Sequence, residues 1–519
     1  MNQSESAVAE HGMVCSVDAL ASRAGVDILR RGGNAVDAAI ATSAVLTVTT
    51  QHMCGLGGDL FALVSQDGAV PLTLNASGHA GSGADAARLR AEGHPRMPML
   101  HDIRAVPVPG CVDGWLALHT RLGRLPLDQV LAHAIGAAEE GFAASPLLAA
   151  TLQRFAGQPG MAQFGTPHPG ELVRRPAVGR ALRAIAAGGR DAFYLGEFGQ
   201  GLHALGAGEY DWSDLERVQA DWVTPLSLPA FGKVLHTVPP NSSGYLTLAG
   251  AWIADRMGLP ADPSEGLWAH LTVEAARFAS YDRLDVLHES ADGAGLLDLD
   301  RLAARVAGIT PDQAAVLGDR YQGGGTIALT VIDEDRMGVS FIQSNAAGFG
   351  SMLVEPATGI FLQNRGLGFS LVEGHPAEYA PGRRPPHTLA PALVTSPDLR
   401  LDCVLATMGG DTQPQILLQL LARMAAGQTA DQAVHAPRWA LEDPDGGGFD
   451  TWEGRGQVVV ALEADAPADW QAGLTSRGHV VRTRDRGHGF GHAHAIRVIG
   501  DGLEGGSDPR ALSGAAIGY

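Results

Sequence analysis

The chain alternates between two hydrophobic periods. Over residues 17 to 48, Leu20, Ala24 and Ile28 recur four apart, and Gly32, Gly33 and Asn34 interrupt the run. This predicts two helices with a break between them. The longest apolar stretch, AAIATSAVLTV at 38 to 48, contains Thr42 and Ser43. At about half the length of a bilayer-spanning helix, it predicts a buried helix instead. GLGGDLFALV at 55 to 64 and LTLNASG at 72 to 78 switch to the alternation of paired strands. From 124 to 310 the pattern is mainly helical, clearest in PLDQVLAHAIGAAEEG, AVGRALRAIAAGG and GLWAHLTVEAARFASYDRLDVL. After Gly325, TIALTVID, MGVSFIQS, GIFLQN and CVLATMGG are short β-branched or apolar runs parted by Gly, Asp and Pro, a second block of sheet. QPQILLQLLARMAAGQ at 413 to 428 predicts a helix ending near Gly427, and residues 456 to 500 return to short strands. No repeat or linker divides the chain, so helices are expected to cover sheet on both sides of one core.

Composition narrows the classes of function. With 519 residues, 45% hydrophobic and 18% charged, the chain can form a large globular core that buries a site. A formal charge of −19 with no block of Lys and Arg opposes nucleic acid or an anionic membrane as partner. A small molecule is the expected ligand. Cys15, Cys54, Cys111 and Cys403 have neither CxxC nor zinc-ligand spacing and read as reduced, mostly buried thiols. The N-terminal MNQSESAVAEHGMVC has no basic segment followed by an apolar one, which predicts a cytoplasmic protein. Nothing in the pattern asks for a metal or an organic cofactor.

Thr326 is the leading candidate for chemistry, because it follows three glycines and opens a β-patterned run. If the Gly325–Thr326 bond broke, one residue would carry both a nucleophilic hydroxyl and a free α-amine to serve as its base. The pattern alone is weak, since Gly-rich turns precede many strands. GLGGDL has Leu60 where a dinucleotide loop needs its third glycine, and neither G-x-S-x-G nor a Walker sequence occurs. His488, His492 and His494 are closely spaced, with His492 and His494 on one strand face; no nearby carboxylate or cysteine completes a ligand set, so packing or substrate contact is expected. TMGGD at 407 to 411 lies between an apolar run and a helix, where the glycine N–H groups either stabilise an oxyanion or make a plain turn. Arg104, in a Pro- and Gly-bounded loop, is either a carboxylate anchor or a surface arginine.

Eight segments in order resemble the γ-glutamyltransferase family from about residue 11 to Tyr519. They are GMVCSVDALASRAGVDILRRGGNAVDAAIA, VPGCVDGW, PPNSSGY, the Thr326 segment, GIFLQNRGLGFS, RRPPHTLAP, ATMGGD and GSDPRALSGAAIGY. The resemblance implies an α+β fold, the four-layer αββα sandwich of N-terminal nucleophile hydrolases, made as a precursor that cleaves itself before Thr326. A large subunit, 1 to 325, and a small one, 326 to 519, would stay packed as one unit; a homo-oligomer is left open. Thr326 would be the nucleophile, Gly409 and Gly410 the oxyanion donors, and the Gly325 carbonyl the target of autocleavage. Arg104 aligns with the arginine that holds the substrate carboxylate, and Asn345 with an asparagine lining the same pocket.

The departures from the family concern amino-acid recognition. Gly368 stands where family members that use glutathione place an aspartate for the α-ammonium, and Arg365 nearby is expected to repel that ammonium. His387 and Thr388 replace paired serines of the pocket, Thr326-Ile327-Ala328 replaces Thr-Thr-His, and Gln343 replaces a threonine that contacts the nucleophile. HMCGLGGDLF with LQNRG resembles a cytoplasmic branch that includes an oxamate amidohydrolase; cephalosporin acylases with a glutaryl substrate are also relatives. Three readings stay open: an amidohydrolase or acyltransferase for a small carboxylate-bearing amide such as a γ-glutamyl compound, an amidase that needs no α-ammonium, and an unprocessed relative that only binds a carboxylate.

Overall fold

A computed structural model describes residues 6–321, 325–443, 458–487 and 489–519. Among them, two seven-stranded antiparallel sheets stack face to face. The first runs Ala515–Gly518, Met13–Ser16, Ile327–Ile332, Gly338–Ser344, Asp59–Ser65, Leu72–Ala76 and Asp221–Val223 in spatial order. The second runs Ala7–Ala9, Gly502–Ser507, Ala493–Ile499, Leu401–Thr407, Ala392–Thr395, Lys233–Thr237 and Leu226–Ala230.

Strand alternation assigns each residue to a layer. Ile327, Leu329 and Val331 pack outward with the residues of helix Ala35–Thr49, whereas Ala328 and Ile332 join Phe61, Ile342, Val404, Ala406 and Ile496 between the sheets. Helix Ala35–Thr49 is buried along its whole length, which suits its apolar composition, and it starts with a capping box between Asn34 and Asp37. Tyr245–Met257, Gly266–Ser280 and Gln413–Ala425 cover the outer face of the second sheet. The result is the αββα sandwich.

Segments before and after Gly325 interleave in the first sheet. Ile327–Ile332 pairs with Met13–Ser16 on one edge and Gly338–Ser344 on the other, and the latter pairs in turn with Asp59–Ser65. Both parts of the chain therefore build one core. All four cysteines are buried and free. No helix among the described residues is long and apolar enough to cross a membrane.

Some segments differ from the pattern reading. Within the stretch expected to be mainly helical, Leu226–Ala230 and Lys233–Thr237 form a hairpin that edges the second sheet. Its turn residues, Phe231 and Gly232, have φ of 53° and 72°. Such a primed turn matches strand twist, but Phe-Gly is not among its usual signatures. Within 456 to 500, helix Ala468–Ser476 separates Val459–Glu463 from Val480–Arg484, which pair in parallel. A parallel pair needs such a crossover.

Candidate active site

Register lines up three residues across the first sheet. Ile327 pairs with Gln343, and Ser344 pairs with Asp59. One step beyond, Thr326 lies opposite Ser344, so Thr326, Ser344 and Asp59 form a row facing the second sheet, spanning about 10 Å at ordinary strand spacing. Thr326 is 1% exposed. Its Oγ lies 2.6 Å from the Gly325 carbonyl oxygen. Ser344 Oγ lies 2.9 Å from the same oxygen and 3.1 Å from Thr326 Oγ. The Ala346 N–H donates to Ser344 Oγ at 2.8 Å and orients it. Gly323 and Gly324 lie outside the described residues.

Gln343, the sequence position matched to a nucleophile-contacting threonine, points to the opposite face. Its Nε2 donates to the Gly55 carbonyl at 2.9 Å, and its Oε1 accepts from Ser43. Ser344 makes the contact instead, because neighbouring strand residues face opposite ways.

Asp59 is the centre of a buried polar lattice. Its Oδ2 accepts from Arg365 Nε and His387 Nε2, both at 2.9 Å, and Arg365 also donates to Thr388 Oγ at 3.1 Å. The Leu389 N–H donates to His387 Nδ1 at 3.2 Å, which leaves the ring proton on Nε2. Burial pushes the Asp59 carboxyl up, but the charge of Arg365 and the contacts of His387 outweigh it and hold it below the usual carboxylate value. Burial, followed by the charge of Arg365, lowers His387 to about 4, so the ring is neutral at neutral pH. The Arg365 charge is thus met by Asp59 inside the fold and is not turned on an incoming ammonium as its sequence position suggested.

His387 and Thr388 border a pocket with Leu284, Leu287, Pro386 and Gly368 supplying apolar wall and Arg283 and Asp411 also lining it. At Gly368 a Cβ would come 2.4 Å from the Pro386 carbonyl oxygen, so this backbone cannot carry an acidic side chain there. Asn345 is fully buried behind the row, donating from Nδ2 to the Gln51 carbonyl at 3.2 Å. Its Oδ1 would lie 2.9 Å from a Cβ at Gly58. It supports the Gly55–Gly58 turn and does not line the described pocket.

Arg104 lies in the single turn Ile103–Ala105, packed beside the turn Arg365–Gly368. Asp102 takes one edge of its guanidinium, with Nε at 2.9 Å and the second contact at 2.7 Å, and Glu92 takes the other. No hydrogen bond joins Arg104 to the Thr326 row among the described residues.

The packing of sheet on sheet locates the paired glycines. A Cβ at Gly338 would touch Leu401 and Val404, and Ser340 Oγ donates to the Leu405 carbonyl at 2.6 Å. Gly338–Ser344 thus packs on Leu401–Thr407 of the facing sheet, which is followed by Gly409 and Gly410. Both glycines have positive φ, 143° and 62°, and precede helix Gln413–Ala425. Their N–H groups donate to no acceptor among the described residues. The Met408 N–H is held by the His492 carbonyl at 3.1 Å. His492 and His494 are buried, and burial lowers them to about 4 and about 3. His488 lies outside the described residues.

Sequence reading singles out neither Asp59, Ser344, Arg283 nor Asp411. The available signal for Asp59 is a carboxylate opening an otherwise apolar strand, GGDLFALV; a buried charge there demands a partner.

The family described as Gamma-glutamyltranspeptidase matches residues 21–518. An oxamate amidohydrolase proenzyme of Klebsiella pneumoniae is 36% identical, covering 99% of this chain and 99% of its own. A glutathione hydrolase-like YwrD proenzyme of Bacillus subtilis is 35% identical over 99% of each. The crystal structure of cephalosporin acylase from Bacillus halodurans matches with a TM-score of 0.91 at 32% identity, covering 100% of this chain and 98% of that one. Two stacked antiparallel sheets between helical layers, and a family match from residue 21 to 518, identify this chain as a member of the gamma-glutamyltranspeptidase family, an N-terminal nucleophile hydrolase.

Proposed function

We propose that this chain is an autoprocessed amidohydrolase that uses Thr326 as nucleophile on a small carboxylate-bearing amide. The observation that carries the reading is the triangle of Thr326 Oγ, Ser344 Oγ and the Gly325 carbonyl oxygen, with edges of 2.6, 2.9 and 3.1 Å. In the first step Thr326 Oγ attacks the Gly325 carbonyl carbon while Ser344 Oγ–H donates to the carbonyl oxygen as charge develops there. The peptide C–N bond breaks as the Thr326 hydroxyl proton passes to the leaving nitrogen, an ester forms, and water hydrolyses it. Residues 1 to 325 then end in a carboxylate, and residues 326 to 519 begin with a free amine. That amine, with an ordinary value near 8, takes the hydroxyl proton when Thr326 attacks a substrate amide and returns it to the leaving nitrogen. The Gly409 and Gly410 N–H groups receive the oxyanion, and water or an amine resolves the acyl-threonine.

Arg104 holds the substrate carboxylate. Asp102 orients one edge of its guanidinium, and the substrate displaces Glu92, which is 44% exposed, from the other.

A second reading, an amidase that requires no α-ammonium, is favoured by the pocket: Leu284, Leu287, Pro386 and Gly368 offer an ammonium no carboxylate, and Asp411 is already paired with Arg283. The relatives' names, oxamate amidohydrolase and cephalosporin acylase, fit such substrates.

Intact mass under denaturing conditions tests the proposal. Two polypeptides, the smaller beginning at Thr326, are expected, together with faster hydrolysis of a glutaryl than of a γ-glutamyl anilide. A single inactive chain of 519 residues that binds a dicarboxylate would favour an unprocessed binding relative instead.

A further inference from the structure

Two consecutive glycines give the turn after Leu401–Thr407 its positive φ, but they also give it the greatest freedom to point elsewhere. Its direction must come from its flanks. Upstream, the Met408 N–H is tied to the His492 carbonyl at 3.1 Å. Downstream, the Thr412 N–H and hydroxyl return to the Gly409 carbonyl at 3.2 and 2.8 Å. The first contact ties the turn to the segment leading into strand Ala493–Ile499, and the second closes it on itself. A tie to the part of the chain before Thr326 is made by Asp411, next to Gly410. Both Asp411 carboxylate oxygens accept from Arg283, one of them from the second guanidinium nitrogen at 2.7 Å. Arg283 is 7% exposed and Asp411 5%. A two-point pair between a planar fork and a carboxylate fixes direction as well as distance.

Arg283 opens the short helix Arg283–Val286, from the part of the chain before Thr326. Leu284 and Leu287 of the same segment line the pocket that also meets His387, Thr388 and Gly368.

We propose that Arg283 is a positioning residue for the reaction: by gripping Asp411 it aims the Gly409 and Gly410 N–H groups at the developing oxyanion and ties that aim to the wall of the acyl pocket. The inference rests on the proposed role of Thr326 and the two glycines. It differs from a merely structural ion pair in what it predicts. Loss of the grip lowers the rate of attack while substrate binding stays, and removing either partner has the same effect as removing both.

The test uses processed protein as wild type, Arg283→Gln, Arg283→Lys, Asp411→Asn and the double Arg283→Gln/Asp411→Asn variant, with the uncleaved Thr326→Ala chain as control. The first readout is labelling by a fluorophosphonate, in which a Thr326 Oγ–P bond forms, P–F breaks, fluoride leaves and the hydroxyl proton passes to the α-amine; the mass of the 326 to 519 fragment follows it. The second is the split between kcat and KM on glutaryl p-nitroanilide. Labelling and kcat are expected to fall roughly 10- to 100-fold in Arg283→Gln and in Asp411→Asn, with KM within about 2-fold and no further loss in the double variant. Arg283→Lys, which keeps the charge with a single contact, should fall between. The double variant removes both charges of the buried pair together, so it reports even where a single variant fails to fold. Wild-type labelling rates in the double variant, or losses that multiply, would overturn the inference and leave the nucleophile assignment standing. Absence of label on Thr326 in the wild type, or equal labelling of Thr326→Ala, would instead overturn the reading on which it rests.

Discussion

Asp59 and Arg365 stand 306 positions apart in the chain and meet as a fully buried ion pair, Nε to Oδ2 at 2.9 Å. Asp59 begins the strand that flanks Ser344, and Arg365 lies beside Gly368 at the pocket. The pair therefore links the row that carries Thr326 to the residues that border the pocket. Removing one member of a buried pair costs more than the pair contributes, because the remaining charge stays desolvated.

Asp59→Ala is expected to destabilise the protein by about 3 to 5 kcal/mol. Urea unfolding checks this, with Asp59→Asn losing less because it keeps an acceptor for Arg365. A loss below about 1 kcal/mol, the range of exposed pairs, would show that the lattice has no structural weight.

Ser344→Ala should slow autocleavage. The hydroxyl makes one hydrogen bond to the Gly325 carbonyl, and a bond to developing charge is worth about 1.5 to 3 kcal/mol, roughly 10- to 100-fold in rate. Ser344→Thr retains the hydroxyl and should retain most of the rate. The fraction of uncut chain against time after synthesis is the measurement; equal curves for Ser344→Ala and wild type would remove Ser344 from the mechanism.

Arg104 and Glu92 should act in opposite directions on substrate affinity. Arg104→Ala loses the carboxylate anchor and raises KM by roughly 10-fold or more, the worth of a charge-assisted contact. Glu92→Gln removes the competitor for the free edge of the guanidinium and lowers KM, while kcat changes little in either. If Glu92→Gln raises KM, Glu92 helps to place Arg104 and does not compete with substrate.

Acid should unfold the protein through its histidines. Burial lowers His387 and His492 to about 4, and His52 and His494 to about 3. In the unfolded chain such rings take up protons near pH 6.5. Between pH 6.5 and about 4 the unfolded state binds more protons than the folded one, so stability falls as pH falls through that window, by roughly 1.4 kcal/mol per pH unit for each ring. Tm measured from pH 7 to 5 should drop steeply, and less steeply in His492→Gln. A Tm that stays flat over this range contradicts buried neutral rings.

The strand Ile327–Ile332 was legible because its signal is local, a glycine run followed by β-branched alternation, and the helix pair around Gly32 to Asn34 was legible for the same reason. The hairpin Leu226–Ala230 with Lys233–Thr237 was not, since its Phe-Gly turn takes its positive φ from strand twist and carries no common turn signature. Motif matching put Gln343 where a residue contacts Thr326, yet strand parity gives that place to Ser344. Asn345 matched a pocket residue and lies fully buried behind the row.

By itself the sequence determined the layers and the family, because hydrophobic period and ordered motifs are written in consecutive residues. Only the tertiary structure decided which side chains meet: Ser344 at Thr326, Asp59 between Arg365 and His387, Arg283 on Asp411. Those pairings depend on register, where one residue of shift reverses the face. They depend also on burial, which turns an arginine that reads as a free positive charge into half of a neutralised pair.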